Sequence, residues 1–278
     1  MPEGPEVKIL VDSLNKYLQH TTIIKLSILS GRYFSDSDRI RKKPDKYQPF
    51  IEALPLSIKE IKCKGKFIYF VFGNNWFMYN TLGMSGSWTN TFRKHCHLEL
   101  HYIDGNGDTK KLWFCDIRRF GTVKFVDNLQ DLNNKLNSLG PDLLDENTDL
   151  STFKAVVEKN KTKNITQFLM DQSKISGCGN YIKCESLYLS KISPHLTLRE
   201  LTDLQIENLF KSLKKVITSS YQQQGATIAT YQNMEGQKGG FTNFFKVYGR
   251  KLDDNNNAIK KETTKDGRTT HWVPLIQE

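Results

Sequence analysis

The hydrophobic spacing of this chain changes once, and that change limits what it can fold into. From Ile23 to about Phe125, apolar residues fall in short β-rich stretches: Ile23–Leu29, Ile58–Cys63, Phe67–Phe72, Trp76–Asn80, His97–Tyr102, Lys111–Cys115 and Thr122–Val126. Turn-forming residues separate them, at Gly73-Asn74-Asn75 and Asp104-Gly105-Asn106-Gly107. After Leu139-Gly140-Pro141-Asp142 the spacing becomes helical, over Leu150–Asn160, Ile165–Gln172, Asn180–Ser190 and Asp203–Gln223. Strands followed by helices make an α+β chain.

Pro5 suits the first turn of a helix, and Val7, Ile9, Leu10, Leu14, Tyr17 and Leu18 recur at near-helical spacing up to about His20. The expected organisation is an N-terminal helix with a β-sandwich over 1–135, a linker over 136–150, and helices over 151–224. A glycine-rich mobile loop follows over 225–242, and a terminal hairpin over 243–278. In that hairpin Phe244–Arg250 is predicted as one strand and Ile259–Thr264 as the second. Asp266-Gly267-Arg268 then makes a tight turn before Thr269–Pro274.

The 278 residues carry a formal net charge of +10. Such a field favours a polyanion such as nucleic acid, and is compatible with an acidic membrane surface. No apolar run is long enough to span a bilayer and no signal peptide opens the chain, so the expected state is soluble and intracellular, nuclear or cytoplasmic. The five cysteines, Cys63, Cys96, Cys115, Cys178 and Cys184, form no CxxC pair and read as reduced, mostly buried thiols. The basic run Arg39–Lys46 reads as a solvated loop, a DNA-facing loop or a targeting signal.

The opening Met1-Pro2-Glu3-Gly4-Pro5-Glu6 has two readings. With Met1 removed, Pro2 offers a secondary amine that is partly neutral near pH 7, with Glu3 and Glu6 beside it for proton transfer. Otherwise the acids simply suit a helix N-terminus. Leu82-Gly83-Met84-Ser85-Gly86 either presents Met84 on a glycine-framed loop or packs it in the core. Asp116-Ile117-Arg118-Arg119-Phe120-Gly121 supplies a phosphate clamp and stacking wedge, or a surface salt-bridge cluster beside a core Phe. Lys66, at the start of an apolar strand, is a DNA contact or a solvated lysine. Ser176-Gly177-Cys178-Gly179-Asn180 exposes N–H groups at a helix start, suited to phosphate, or is a plain linker.

Taken together in this order, MPEGPEV at 1–7, KGKF at 64–67, TLGMSGSW at 81–88, DIRRFG at 116–121, LGPDLL at 139–144, the stretch at 168–194 and FKVYGRK at 245–251 resemble the formamidopyrimidine-DNA glycosylase/endonuclease VIII family of base-excision repair enzymes. Gly4 resembles the endonuclease VIII branch. The resemblance implies that Pro2 attacks C1′ of a damaged nucleotide, with Glu3 transferring protons, Glu6 in support and Lys66 assisting β-elimination. It implies that Met84, Arg118 and Phe120 fill the gap left by the flipped base. Arg119, His95, Lys161 and Asn180 are matched to DNA contacts, Asn180 within a helix-two-turn-helix motif. The 225–242 loop would help select the everted base.

Bacterial members commonly end in a four-cysteine zinc ribbon carrying a DNA-binding arginine, but no cysteine follows Cys184 here. Val247-Tyr248-Gly249-Arg250 and Asp266-Gly267-Arg268-Thr269-Thr270 resemble the zincless finger of plant and animal relatives, with Arg268 in the arginine's place. Tyr248, Trp272 and Val273 would then support the hairpin in place of metal. The implied protein is a monomeric DNA glycosylase and β,δ-elimination lyase acting on damaged DNA, with no cofactor, metal or membrane. Oxidised pyrimidines and formamidopyrimidines are the favoured lesions. The rivals are a noncatalytic DNA-damage-binding homologue and a glycosidase using Glu3 and Glu6 as an acid/base pair.

Overall fold

Helix α1 (Gly4–Leu18) forms over the periodic apolar positions, and Val7, Leu10, Val11, Leu14 and Leu18 all lie in one buried cluster. The computed structural model describes residues 2–34, 43–228, 234 and 236–277. It divides into two compact units. Pro2, Glu6–Asn137 and 227–239 make the first, while Glu3–Pro5, Ser138–Ala226 and Gly240–Glu278 make the second.

In the first unit β1 (Thr22–Ile28) is followed by a short helix α2 (Tyr47–Glu52) and by β2 (Leu56–Lys64), β3 (Phe67–Phe72), β4 (Phe77–Thr81) and β5 (Gly86–Thr89). Then come β6 (Cys96–Ile103), β7 (Thr109–Asp116), β8 (Thr122–Val126) and helix α3 (Leu129–Asn137). The strands pair antiparallel in the order β5-β7-β6-β1-β2-β3-β4-β8. Only Thr22↔Ser57 and Ile23↔Leu56 join β1 to β2, so the ladder bends there into two four-stranded layers of a sandwich. Leu56, Ile58 and Ile61 of β2 reach the same core because an irregularity between Ile58 and Glu60 shifts the strand's phase. Asn15 of α1 makes two hydrogen bonds with Ile61, donating to its carbonyl at 2.7 Å and accepting its N–H at 2.8 Å. Helix and sheet are thereby fixed in register.

The core is aromatic. Phe50 stacks on Phe125 at 4.3 Å between ring centres, and the buried Asn80 accepts the Trp88 indole N–H while donating to the Thr122 carbonyl. Met234, from the glycine-rich segment predicted to be mobile, is buried in this cluster. The basic run predicted over Arg39–Lys46 lies, up to Lys42, outside the described residues; Lys46 pairs with Asp127.

Two cysteines depart from the expected reduced state. Cys96 faces Cys115 across the β6–β7 ladder, and the register brings them into a disulfide; Cys63, Cys178 and Cys184 remain thiols.

The second unit contains α4 (Leu150–Glu158), α5 (Ile165–Met170), α6 (Asn180–Leu189) and α7 (Asp203–Gln222). Their starts follow their caps: Asp149 accepts the Thr152 N–H, Asn164 the Thr166 N–H, and Thr202 with Gln205 forms a reciprocal capping box. Helix α6 is buried from Tyr181 to Leu187, so it forms the middle of this unit. A hairpin of β9 (Lys260–Thr263) and β10 (Thr269–Trp272) closes the chain. The predicted strand over Phe244–Arg250 is instead a turn of 3-10 helix (Phe241–Phe244) followed by irregular chain. Its backbone donors go to a side chain: the Glu185 carboxylate accepts the N–H groups of Lys246, Val247 and Tyr248 at 2.8, 3.0 and 2.7 Å. Among the described residues no helix is long and apolar enough to cross a membrane.

Candidate active site and nucleic-acid interface

Within the second unit the Glu3 carboxylate sits on the N-terminus of α6. Oε1 accepts the Tyr181 N–H at 3.0 Å and Oε2 the Ile182 N–H at 3.3 Å. Gly179, the residue before the helix, supplies no side-chain cap, so Glu3 satisfies two donors that the helix cannot. The glycines of this turn make the approach possible. A Cβ on Gly179 would stand 2.1 Å from Glu3 Cδ, and one on Gly4 would stand 3.0 Å from Gly177 Cα. Gly4 N–H also donates to the Gly177 carbonyl at 2.9 Å. The turn itself is braced by Gln172, whose amide accepts the Gly177 N–H and donates to the Cys178 carbonyl. The two N–H groups that follow the Ser176–Asn180 turn, those of Tyr181 and Ile182, are therefore occupied by a carboxylate of the same chain.

Pro2 and Glu6 of the first unit are buried. Lys66 occupies the β2–β3 turn after Gly65, whose φ is +57°, and is half-buried rather than fully solvated. Met84 lies in the turn between β4 and β5, closed by Gly86 N–H to the Leu82 carbonyl at 2.8 Å. Leu82, not Met84, enters the core, leaving Met84 half-buried.

The segment after β7 is held from beneath. Asp116, 1% exposed, accepts the Ser85 hydroxyl at 2.5 Å, the Arg118 N–H at 3.2 Å and the Gly121 N–H at 2.7 Å. Ser85 Oγ in turn accepts the Arg118 N–H at 2.9 Å. One buried carboxylate therefore joins the Met84 turn to the Arg118–Phe120 loop. Above it Phe120 is 52% exposed, with the Arg118 guanidinium 5.1 Å from its ring centre. Arg119, at φ +58°, is also exposed. His95, at φ +69° and half-buried, accepts the Asp116 N–H through its carbonyl at 2.9 Å. His97 continues the support from Asp116 O to Ser30 Oγ, at 2.8 and 2.7 Å.

The remaining candidates belong to the second unit. Lys161 pairs with Glu158 at 2.7 Å on the surface. Asn180 donates to the Thr269 carbonyl at 2.9 Å, the residue after the exposed Arg268. Tyr248 stacks on His271 at 4.9 Å, and burial, only partly offset by the Asn180 side chain, raises the Tyr248 phenol above its ordinary pKa.

His271 Nδ1 accepts the Gly249 N–H at 2.7 Å, and burial pushes the Cys184 thiol up to about 12, far from a thiolate. Among the described residues no three His, Cys, Asp or Glu side chains gather as a metal site. Asp116, Ser85, Glu185 and Gln172 were not singled out from sequence. Asp116 lies inside DIRRFG, and its position between a strand and the exposed Arg118–Phe120 loop is the available signal.

Two family models match the chain: the formamidopyrimidine-DNA glycosylase N-terminal domain over residues 1–123 and the formamidopyrimidine-DNA glycosylase H2TH domain over 139–232. The chain is 29% identical over 287 residues to the formamidopyrimidine-DNA glycosylase of Shouchella clausii, covering 100% of this chain and 99% of that protein. It is 29% identical over 260 residues to that of Mycoplasma genitalium, covering 90% and 86%. Among solved structures it is similar to Lactococcus lactis Fpg bound to DNA containing an abasic site, with TM-score 0.84, 26% identity and 99% of each chain covered. It is equally similar to MutM bound to DNA containing carbocyclic 8-oxo-G, with TM-score 0.84, 26% identity and 100% of each chain covered. With both of its models matched in order and relatives aligned along its length, the chain belongs to the formamidopyrimidine-DNA glycosylase family.

Proposed function

We propose that this chain removes oxidised bases from damaged DNA and then cuts the strand at the resulting site. The observation that carries this reading is the placement of Glu3: the residue next to Pro2 is fastened to the first turn of α6, in the helix-two-turn-helix region. Once Met1 is removed, the Pro2 amine attacks C1′ as the glycosidic bond breaks, and the departing base gains a proton. Glu3 takes the proton that the Pro2 nitrogen sheds after bonding to C1′ and delivers it to the sugar ring oxygen, which opens to leave an iminium between Pro2 N and C1′. That cation acidifies the C2′ proton. Its removal, assisted by Lys66, expels the 3′ phosphate; a second elimination expels the 5′ phosphate, and water releases Pro2.

Flipping the base out costs a few kcal/mol, and Met84, Arg118 and Phe120 offset part of it by filling the vacancy. Arg119, His95, Lys161, Asn180 and Arg268 contact the DNA backbone, and Glu6 supports the amine. In this reading residues 1–135 carry the amine and the wedge and 151–278 the grip on DNA, with 225–242 sensing the base.

The finer placement rests on two features. Gly4, pressed against Gly177, favours an endonuclease VIII-like member, with oxidised pyrimidines and formamidopyrimidines as substrates. The occupied His271 and neutral Cys184 favour a zincless finger. Borohydride reduction during incubation with oxidised-base DNA should trap a covalent complex through Pro2. Protein with a confirmed Pro2 terminus that traps on no lesion and no abasic site would falsify the lyase reading.

A further inference from the structure

Lys183 is an anomaly in α6. Its side chain has 0% exposed surface, and its ammonium meets the Asp266 carboxylate, itself 2% exposed, at 2.6 Å. Burying two charges is costly, and an apolar pair would hold the same space at least as well, so such a pair points to placement rather than stability.

What it places is the turn around Arg268. Thr264 Oγ1 hydrogen-bonds Asp266 Oδ1 and Thr270 Oγ1, each at 2.6 Å, while Thr264 N–H donates to the Arg268 carbonyl at 3.1 Å. On the far side of the arginine, Asn180 holds the Thr269 carbonyl. Asn180 and Lys183 are three residues apart, one turn of α6, so the two sides of Arg268 are fastened to neighbouring points on one rigid helix.

We propose that Lys183 is a positioning residue: through Asp266 it fixes the Arg268 turn against α6 so that the guanidinium reaches a DNA phosphate. The proposal rests on the assignment of Arg268 to DNA contact. It extends the fastening of the finger to a residue that touches no substrate.

The test is binding of a duplex carrying a stable, uncleavable abasic analogue, followed by fluorescence anisotropy, which needs no Schiff base. Lys183→Met should weaken binding roughly tenfold, Lys183→Arg should retain most of it, and Lys183→Met should add little to the loss already caused by Arg268→Ala. Because Lys183→Met leaves a buried carboxylate unpaired, the double variant Lys183→Met/Asp266→Leu is measured beside it. That protein removes both charges, should keep the wild-type melting temperature within a few degrees, and should show the same loss of binding. Wild-type affinity in the folded double variant, or a loss fully additive with Arg268→Ala, would overturn the proposal. If Arg268→Ala alone binds as wild type does, the DNA role of Arg268 falls, and the inference falls with it for that separate reason.

Discussion

Ser85 Oγ and Asp116 Oδ1 lie 2.5 Å apart, and through that contact the Met84 turn and the Arg118–Phe120 loop share one buried support. Asp116→Asn keeps the size of the group but replaces one acceptor with a donor that faces N–H groups. Leaving the Gly121 or Arg118 N–H unsatisfied should cost about 1–3 kcal/mol of stability. The checks are a thermal melt and binding to gapped or abasic duplex; affinity for undamaged duplex should fall much less.

Phe120 stands outside the core, so removing its ring should leave the fold alone. Stacking on a base is worth about 1–3 kcal/mol. Phe120→Ala should therefore keep the wild-type melting temperature and weaken binding to an abasic analogue by roughly tenfold or more. Equal losses on damaged and intact duplex would remove the wedge role.

Gly179→Ala places a methyl group where Glu3 lies, since an added Cβ would stand 2.1 Å from Glu3 Cδ. Neither the helix N-terminus nor Glu3 can yield without losing the Tyr181 and Ile182 hydrogen bonds. The variant should lose roughly 1–3 kcal/mol of stability and a larger share of its single-turnover rate than of its DNA affinity. Kinetics on oxidised-base DNA alongside anisotropy measurements would show the split.

His271 gives the finger a pH dependence of definite sign. Burial holds its pKa below the ordinary value, and Nδ1 must be unprotonated to accept the Gly249 N–H. The native state thus binds fewer protons than the unfolded chain, so this contribution is fully present above about pH 6.5 and is lost as pH falls through the depressed native value. The protection of the Gly249 amide, its exchange taken relative to the base-catalysed rate of a free amide at the same pH, should fall on moving from pH 7.5 to 5.5. His271→Asn, which keeps an acceptor that does not titrate, should flatten that change.

The elements that could be read from sequence are those whose ends are chemically marked. The helices α4 to α7 begin directly after Asp149, Asn164, Gly179 and Thr202, each a residue with a local reason to start a helix. The strand β3 matched because its apolar run ends abruptly on both sides. Helix α3 is absent from the sequence reading although Leu129, Leu132 and Leu136 recur at helical spacing; the stretch is short, and polar residues fill the remaining positions. The segment 244–250 has strand-like composition, yet its donors are satisfied by Glu185, sixty or so residues earlier, which no local pattern reports.

The same limit applies to the site. Pro2, Lys66, Met84 and the Arg118–Phe120 loop stood out because their residue types carry chemistry. Asp116, Lys183 and Glu185 act by holding other groups, and the partners of Lys183 and Glu185, like Ser85 for Asp116, are distant in sequence. The Cys96–Cys115 disulfide was hidden for a similar reason, since it depends on the β6–β7 register rather than on any spacing rule.

The three N–H groups gathered by Glu185 have a consequence for the conditions under which the finger stays assembled. A fastening made of metal and thiolates comes apart when peroxide oxidises the sulfur or a chelator removes the ion. A carboxylate accepting backbone hydrogen bonds offers neither reagent a point of attack. At Lys246–Tyr248 this chain is therefore held together by a contact indifferent to the oxidants that damage bases in the first place.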